Sequence, residues 1–95
     1  MVTSIIIFKL KEKTDENAAQ IKEKLTGMKG KIAQLKDIKV KYNLRTSPSS
    51  FDVVMIAEYN SIEDFDEYAV HPVHVEAGNF ILSLCEQISS ILYED

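Results

Sequence analysis

Cysteine is almost absent from this sequence, which holds a single one, Cys85, among 95 residues. A lone cysteine cannot form an internal disulfide. One cysteine and two histidines also cannot supply the four ligands of a closed structural zinc site. The sequence therefore suits a reducing compartment, and we expect a cytoplasmic protein without a bound metal or other cofactor.

Long apolar runs are also missing. The run from Ile5 to Phe8 ends at Lys9, which is too short for a signal peptide or a membrane span, so we expect no membrane partner. A chain of 95 residues fits one domain and not two. We therefore treat residues 1–95 as a single domain.

Positive charge is missing from the second half of the chain. Residues 1–45 hold all 11 Lys and Arg against 5 Asp and Glu, a net charge of +6, whereas residues 46–95 hold 10 acidic residues and no basic one, a net charge of −10. One interpretation is a basic face for a phosphate, a thioester carrier or RNA, formed by Lys22, Lys24, Lys29, Lys31, Lys36, Lys39 and Lys41. The favoured alternative is solvated lysines, because acidic or apolar residues separate them and no aromatic platforms for bases accompany them. We therefore do not expect nucleic acid as a partner.

Hydrophobic periodicity predicts the order strand, helix, strand, strand, helix pair, strand. The predicted strands lie near 4–10, 38–44, 51–59 and 87–93, and the first helix spans about 14–28, capped by Thr14. A second helix begins after Asn60 or Ser61, and Pro72 ends it and starts a third. This order is typical of an α+β, ferredoxin-like fold, a four-stranded antiparallel sheet with helices on one face.

The second face of such a sheet would have no helix to cover it. Strands one and three carry apolar side chains on both faces. Leaving them in water would forfeit about 1.5 to 3 kcal/mol each, which in sum approaches the whole stability of a small domain. The pattern therefore predicts a homodimer joined sheet to sheet.

Several stretches resemble the stress-responsive α/β-barrel (Dabb) family. They are Ile5-Ile6-Ile7-Phe8-Lys9-Leu10, the third strand from Phe51 to Tyr59, Phe65-Asp66-Glu67-Tyr68-Ala69-Val70-His71-Pro72-Val73-His74, and Tyr93. The most specific part is Tyr68-x-x-His71-Pro72-x-His74. The resemblance covers nearly the whole chain and implies a dimeric α/β barrel of ferredoxin-like subunits, with a cavity between sheet and helices.

The resemblance also implies possible chemistry at that cavity. In a similar plant polyketide cyclase, residues matching Tyr68 and His74 serve an aldol closure, with the histidine as general base and the tyrosine holding a substrate oxygen. Many members have a histidine at the start of strand one, where this chain has Ser4. The chain also has no tryptophan, which the haem-degrading branch commonly uses.

Our leading hypothesis is a dimer that binds a small apolar molecule. The expected cavity lining is Ile5, Ile7, Phe51, Val53, Phe65, Tyr68, His71, His74 and Phe80. Alternatives are a cofactor-free polyketide cyclase-like or lyase-like enzyme using His74 and Tyr68, a cofactor-independent monooxygenase, and a protein whose only activity is association.

The two histidines also have structural interpretations. His74 could fasten the helix break by bonding a backbone carbonyl or a nearby carboxylate, and His71, before the proline, has a capping role as its favoured interpretation. A metal site on His71 and His74, with Glu67 or Cys85 as a third ligand, is a less favoured alternative.

Overall fold

The computed structural model describes residues 1–95 and contains four strands and three helices. In chain order these are β1 (Val2–Leu10), α1 (Asp15–Thr26), β2 (Asp37–Tyr42), β3 (Val53–Tyr59), α2 (Ile62–Ala69), α3 (Pro72–Leu84) and β4 (Cys85–Glu94). The strands form one antiparallel sheet in the order β2-β3-β1-β4. The predicted α+β fold with the helices on one face of the sheet is confirmed. No helix is both long enough and apolar enough to cross a membrane.

Residues at the start of each helix reduce the number of unpaired backbone N–H groups. The Thr14 hydroxyl accepts a hydrogen bond from the Asn17 N–H at 3.1 Å, and the Ser61 hydroxyl accepts one from the Asp64 N–H at 3.1 Å. Pro72 occupies the first turn of α3, where its missing N–H costs no intrahelical bond. These caps lie where the sequence predicts them.

Alternation along the strands divides the sheet into two faces. Residues directly opposite one another across the sheet share a face, so Phe8, Val53 and Ile88 all point toward the helices. The other side, which we call the outer face, has Ile5 opposite both Ile56 and Ile91. Its apolar residues are Ile5, Ile7, Val54, Ile56, Ile91 and Tyr93, with Lys39 and Lys41 beside them on β2. No element of the chain packs over this face.

The hydrophobic core fills the space between the helix-facing side of the sheet and the helices. Its fully buried members include Ile21 of α1, Met55 and Tyr59 of β3, and Leu10 of β1. On the outer face, by contrast, Ile91 is 60% exposed and Tyr93 is 42% exposed. The fully buried apolar side chains of the sheet therefore all lie on its helix-facing side.

Five predicted boundaries differ from the structure by two residues. β1 begins at Val2, α1 ends at Thr26 and β2 ends at Tyr42. β3 begins at Val53. Just before it, the Asp52 N–H donates to the Phe8 carbonyl and the Asp52 carboxylate accepts from the Leu10 N–H, which ties the start of the strand to β1. β4 begins at Cys85 directly after α3, so no linker separates the helix from the strand.

Candidate functional site

An apolar cavity lies between the helix-facing side of the sheet and helices α1, α2 and α3. Its volume is about 140 Å³. Ten of the twelve lining residues are hydrophobic, and the lining comprises Ile6, Phe8, Leu25, Met28, Met55, Tyr68, His74, Ala77, Gly78, Ile81, Leu82 and Ile88. Tyr68 and His74 are the only polar side chains in this wall, so any directional recognition of a ligand depends on them.

The break between α2 and α3 fixes the orientation of His74. In a continuous helix the Val73 N–H would bond to the Ala69 carbonyl, but here it donates to Nδ1 of His71 at 3.1 Å. The Ala69 carbonyl is thereby left free and lies 3.0 Å from Nδ1 of His74. Because a carbonyl only accepts, we assign the proton to Nδ1 of His74, which leaves Nε2 with a lone pair when the ring is neutral.

Tyr68 lies beside His74 in an aromatic cluster. The two ring centroids are 4.3 Å apart, and on its other side the Tyr68 ring contacts Tyr59 at 4.9 Å and Phe65 at 6.0 Å. Burial raises the pKa of Tyr68, and the nearby Tyr59 hydroxyl acts in the opposite direction. Tyr68 therefore enters the cavity wall as a neutral hydroxyl.

No carboxylate forms an ion pair with His74. Residues Asp64, Asp66, Glu67 and Glu76 are close in sequence, yet the three ion pairs of the structure are Lys9–Glu86, Lys13–Asp52 and Lys29–Asp37. The Glu67 carboxylate instead accepts a hydrogen bond from Gln34 at 2.7 Å. The bond that holds His74 is thus to a backbone carbonyl.

His71 is a capping residue. Its Nδ1 is occupied by the Val73 N–H at the start of α3, and it is not part of the cavity lining where it was expected. No group of three His, Cys, Asp or Glu side chains converges anywhere in the structure. Cys85 is buried in the core cluster at the end of α3.

Six further residues expected in the cavity lining lie outside the wall of this cavity. Ile5 and Ile7 lie on the outer face, because alternation in β1 turns odd-numbered side chains away from the helices. Phe51, before β3, lies with Ile7 in a surface depression. The other three are outside the cavity wall: Val53 is buried in the core beside Phe8, Phe65 packs against Tyr59, and Phe80 lies beneath the Lys24 ammonium.

Most residues in the wall of this cavity are absent from the expected set, although some of them could be inferred from the sequence. Phe8 and Leu10 alternate with Lys9 and Lys11, so the even-numbered residues of β1, Ile6 among them, belong to the core face. Ser4 shares this face and is buried opposite Ala57, two residues from Ile6 and outside the cavity wall.

A larger depression of about 520 Å³ lies elsewhere, at the start of α1. Of its three charged side chains, Lys13 and Asp52 are already paired, since the Asp52 carboxylate accepts from Lys13 at 3.0 Å and from the Leu10 N–H at 2.9 Å. By size alone, this depression would be the preferred candidate for a ligand site. The smaller cavity is the better candidate for an apolar ligand because its walls are apolar and its two polar side chains lie together.

Three of the seven lysines considered as a basic face have partners within the chain. Lys22 lies over the Tyr42 ring at 5.3 Å, Lys24 lies over the Phe80 ring at 5.2 Å, and Lys29 pairs with Asp37 at 2.9 Å. This pairing lowers the pKa of the Asp37 carboxyl. Their partners are side chains of the chain itself.

Residues 2–95 match the model of the stress responsive A/B barrel domain family. The chain belongs to this family. Among curated proteins, no sequence matches it significantly.

Solved structures similar to this A/B barrel domain share its fold over nearly the full length. A dimeric ferredoxin-like protein of unknown function from Bacteroides fragilis is 27% identical, with 99% of this chain and 95% of that chain covered and a TM-score of 0.82. The hydroxynitrile lyase of Passiflora edulis is 18% identical, with 97% and 90% covered and a TM-score of 0.86. An antibiotic biosynthesis monooxygenase is 14% identical, with 100% and 98% covered and a TM-score of 0.79. The last two likenesses establish the fold alone.

Proposed function

We propose that the protein is a homodimer that binds a small apolar molecule in the cavity beside Tyr68 and His74. The observation that carries the proposal is the cavity itself, about 140 Å³ of space with apolar walls and one polar corner. Apolar cavities of about 150 Å³ accept benzene. A molecule of one ring, or an equivalent short chain, therefore fits this space.

Gly78 supports this interpretation. It lies inside α3, where glycine costs about 0.5 to 1 kcal/mol relative to alanine, and it lines the cavity. A Cβ built at this position meets no atom within 4 Å. Neither backbone conformation nor crowding requires a glycine there, and its lack of a side chain keeps the space beside the cavity open.

The binding test uses toluene as the probe and a pair of adjacent substitutions. We expect toluene to shift the backbone NMR signals of cavity residues at millimolar concentration. Gly78→Leu should abolish those shifts because its side chain fills the cavity, whereas Asn79→Leu should keep them because residue 79 is exposed. Absence of toluene binding to the wild type, or equal binding to both variants, would contradict the proposal.

The proposed homodimer rests on the outer face. Its apolar residues Ile5, Ile7, Val54 and Ile56 are only half-buried within one chain, and a second copy packed sheet to sheet would cover them. The similar Bacteroides fragilis protein is described as dimeric, which supports the same assembly here. A cytoplasmic location is also part of the proposal, supported by the lone, buried Cys85.

A second candidate function is a cyclase-like or lyase-like reaction, favoured by the arrangement of His74. With its Nδ1 proton directed to the Ala69 carbonyl, Nε2 is the nitrogen that would accept a proton from a bound substrate. The neighbouring Tyr68 hydroxyl would donate to the substrate oxygen on which negative charge develops. The similar Passiflora edulis protein is a lyase, which makes this reaction class the one to test.

Proton exchange separates this function from simple binding. We expect the protein to accelerate hydrogen–deuterium exchange at the central carbon of acetylacetone, a small β-diketone. His74→Gln should remove about 10²-fold or more of the acceleration, the usual contribution of a general base. Glu76→Gln is the matched control and should retain it, because Glu76 is an exposed residue of the same helix and lies outside the cavity wall. Equal loss in both variants, or no acceleration by the wild type, would exclude His74 as a base.

A further inference from the structure

The hydroxyl of Tyr59 is buried without a hydrogen-bond partner. The residue is fully buried at the end of β3, and its oxygen is the only buried side-chain polar atom in the structure that lacks a partner. Leaving a buried hydroxyl unpaired opposes folding, so phenylalanine would serve better at this position if packing were the only requirement. The hydroxyl therefore needs an explanation.

Tyr68 is the polar neighbour of Tyr59. Their rings are 4.9 Å apart and inclined at 53°, while the other aromatic contact of Tyr59 is the ring edge or face of Phe65, which offers no oxygen. Burial first, and then the nearby Tyr68 hydroxyl, raise the pKa of Tyr59. Tyr59 is not part of the cavity wall, whereas Tyr68 is. Tyr59 thus reaches a ligand only through Tyr68.

We propose that Tyr59 is a positioning residue that donates a hydrogen bond to the Tyr68 oxygen when Tyr68 donates its own proton to a ligand oxygen in the cavity. Each hydrogen bond in such a chain polarises the next, so Tyr68 becomes a stronger donor than it would be alone. The arrangement selects ligands that carry a carbonyl or comparable acceptor oxygen on a small apolar body. This inference rests on the proposed function, since it needs a ligand in the cavity.

Two probes of nearly the same shape isolate the oxygen. Cyclohexanone carries a carbonyl oxygen and no donor, and methylenecyclohexane replaces that oxygen by a CH₂ group. Both have one ring and match a cavity of about 140 Å³. The affinities of the wild type and of each variant for both probes are measured by NMR titration of the whole protein. The affinity of a variant for methylenecyclohexane then serves as its reference for effects that do not involve the oxygen.

We expect Tyr59→Phe to weaken cyclohexanone binding by about 2- to 10-fold, the range of one net hydrogen bond, and to leave methylenecyclohexane unchanged. Tyr68→Phe should weaken the binding of cyclohexanone at least as much as Tyr59→Phe does. The double variant Tyr59→Phe/Tyr68→Phe should be no weaker than Tyr68→Phe, because Tyr59 acts through the Tyr68 oxygen. Folding does not confound the test, since Tyr59→Phe removes only an unpaired hydroxyl.

Three results would overturn the inference. Unchanged cyclohexanone affinity in Tyr59→Phe would show that Tyr59 has no positioning role. Equal weakening of the binding of both probes would indicate a packing effect. Additive losses in the double variant would show that Tyr59 acts independently of Tyr68. If the wild type binds neither probe, the cavity proposal fails and this inference fails with it, so the two failures are distinguishable.

Discussion

Adjacent isoleucines on opposite faces of β1 allow the dimer to be tested separately from the fold. Ile5 lies at the centre of the outer face, opposite Ile56 and Ile91, whereas Ile6 lines the cavity on the helix side. Each is replaced by alanine, which removes the same three carbon groups. The two variants therefore have identical composition and differ only in the face they alter.

The magnitudes follow from burial. Deleting three fully buried carbon groups costs about 2.4 kcal/mol, but Ile5 is already partly buried in one chain, so at most about a third of this, ~0.8 kcal/mol, is lost at the interface. Because the two-fold axis places Ile5 in the interface twice, the loss is up to about 1.6 kcal/mol, or up to about a 15-fold weaker dimer. Ile6→Ala should instead lower the free energy of unfolding by about 2 kcal/mol, as for other truncations in a core.

The assay combines sedimentation velocity over a concentration series with urea unfolding of each variant. We expect Ile5→Ala to move the dimer–monomer transition to higher concentration and to make unfolding less dependent on protein concentration, because more of the variant is monomeric at each concentration. Ile6→Ala should shift the urea midpoint at every concentration. If Ile6→Ala weakens the dimer as much as Ile5→Ala does, or if Ile5→Ala leaves association unchanged, the assignment of the outer face to the interface is refuted.

Other predictions concern the helices and the buried tyrosines. Gly78→Ala should raise the free energy of unfolding by about 0.5 to 1 kcal/mol in urea, because its Cβ meets no atom within 4 Å, and a loss of stability would contradict the open space seen there. His71→Ala should lower the free energy of unfolding in urea by about 1 kcal/mol, because the cap of α3 is lost. An unchanged free energy of unfolding would contradict the capping role of His71. Burial raises the pKa of Tyr59 and Tyr68, so above about pH 10 these tyrosines ionise in the unfolded chain before they ionise in the folded protein. The free energy of unfolding should therefore fall as the pH rises above this value, and Tyr59→Phe should make that fall less steep. An equally steep alkaline fall in Tyr59→Phe would contradict the contribution of Tyr59.

The sequence was most informative where polar and apolar residues alternate or where proline fixes the backbone. Alternation from Val53 to Tyr59 predicts both faces of β3 correctly, and Pro72 marks the start of α3. In β1 the uninterrupted run Ile5-Ile6-Ile7 gives no contrast between faces. The expected cavity lining therefore included Ile5 and Ile7 and omitted Ile6.

Contacts that depend on three-dimensional placement could not be predicted. The bond from His74 to Ala69 exists because His71 takes the N–H that a continuous helix would have used, an exchange that depends on the exact path of the break. The unpaired Tyr59 hydroxyl likewise follows from the packing of β3 against α2. Patterning identifies Tyr59 as a core residue, but only the structure shows that its oxygen lacks a partner.

Sedimentation equilibrium of the wild-type protein at micromolar concentration tests the central claim most directly. With a chain mass of 10.8 kDa, the account predicts a species of about twice that mass. A mass of 10.8 kDa throughout the concentration range would leave Ile5, Ile7, Val54 and Ile56 facing water and would contradict the homodimer.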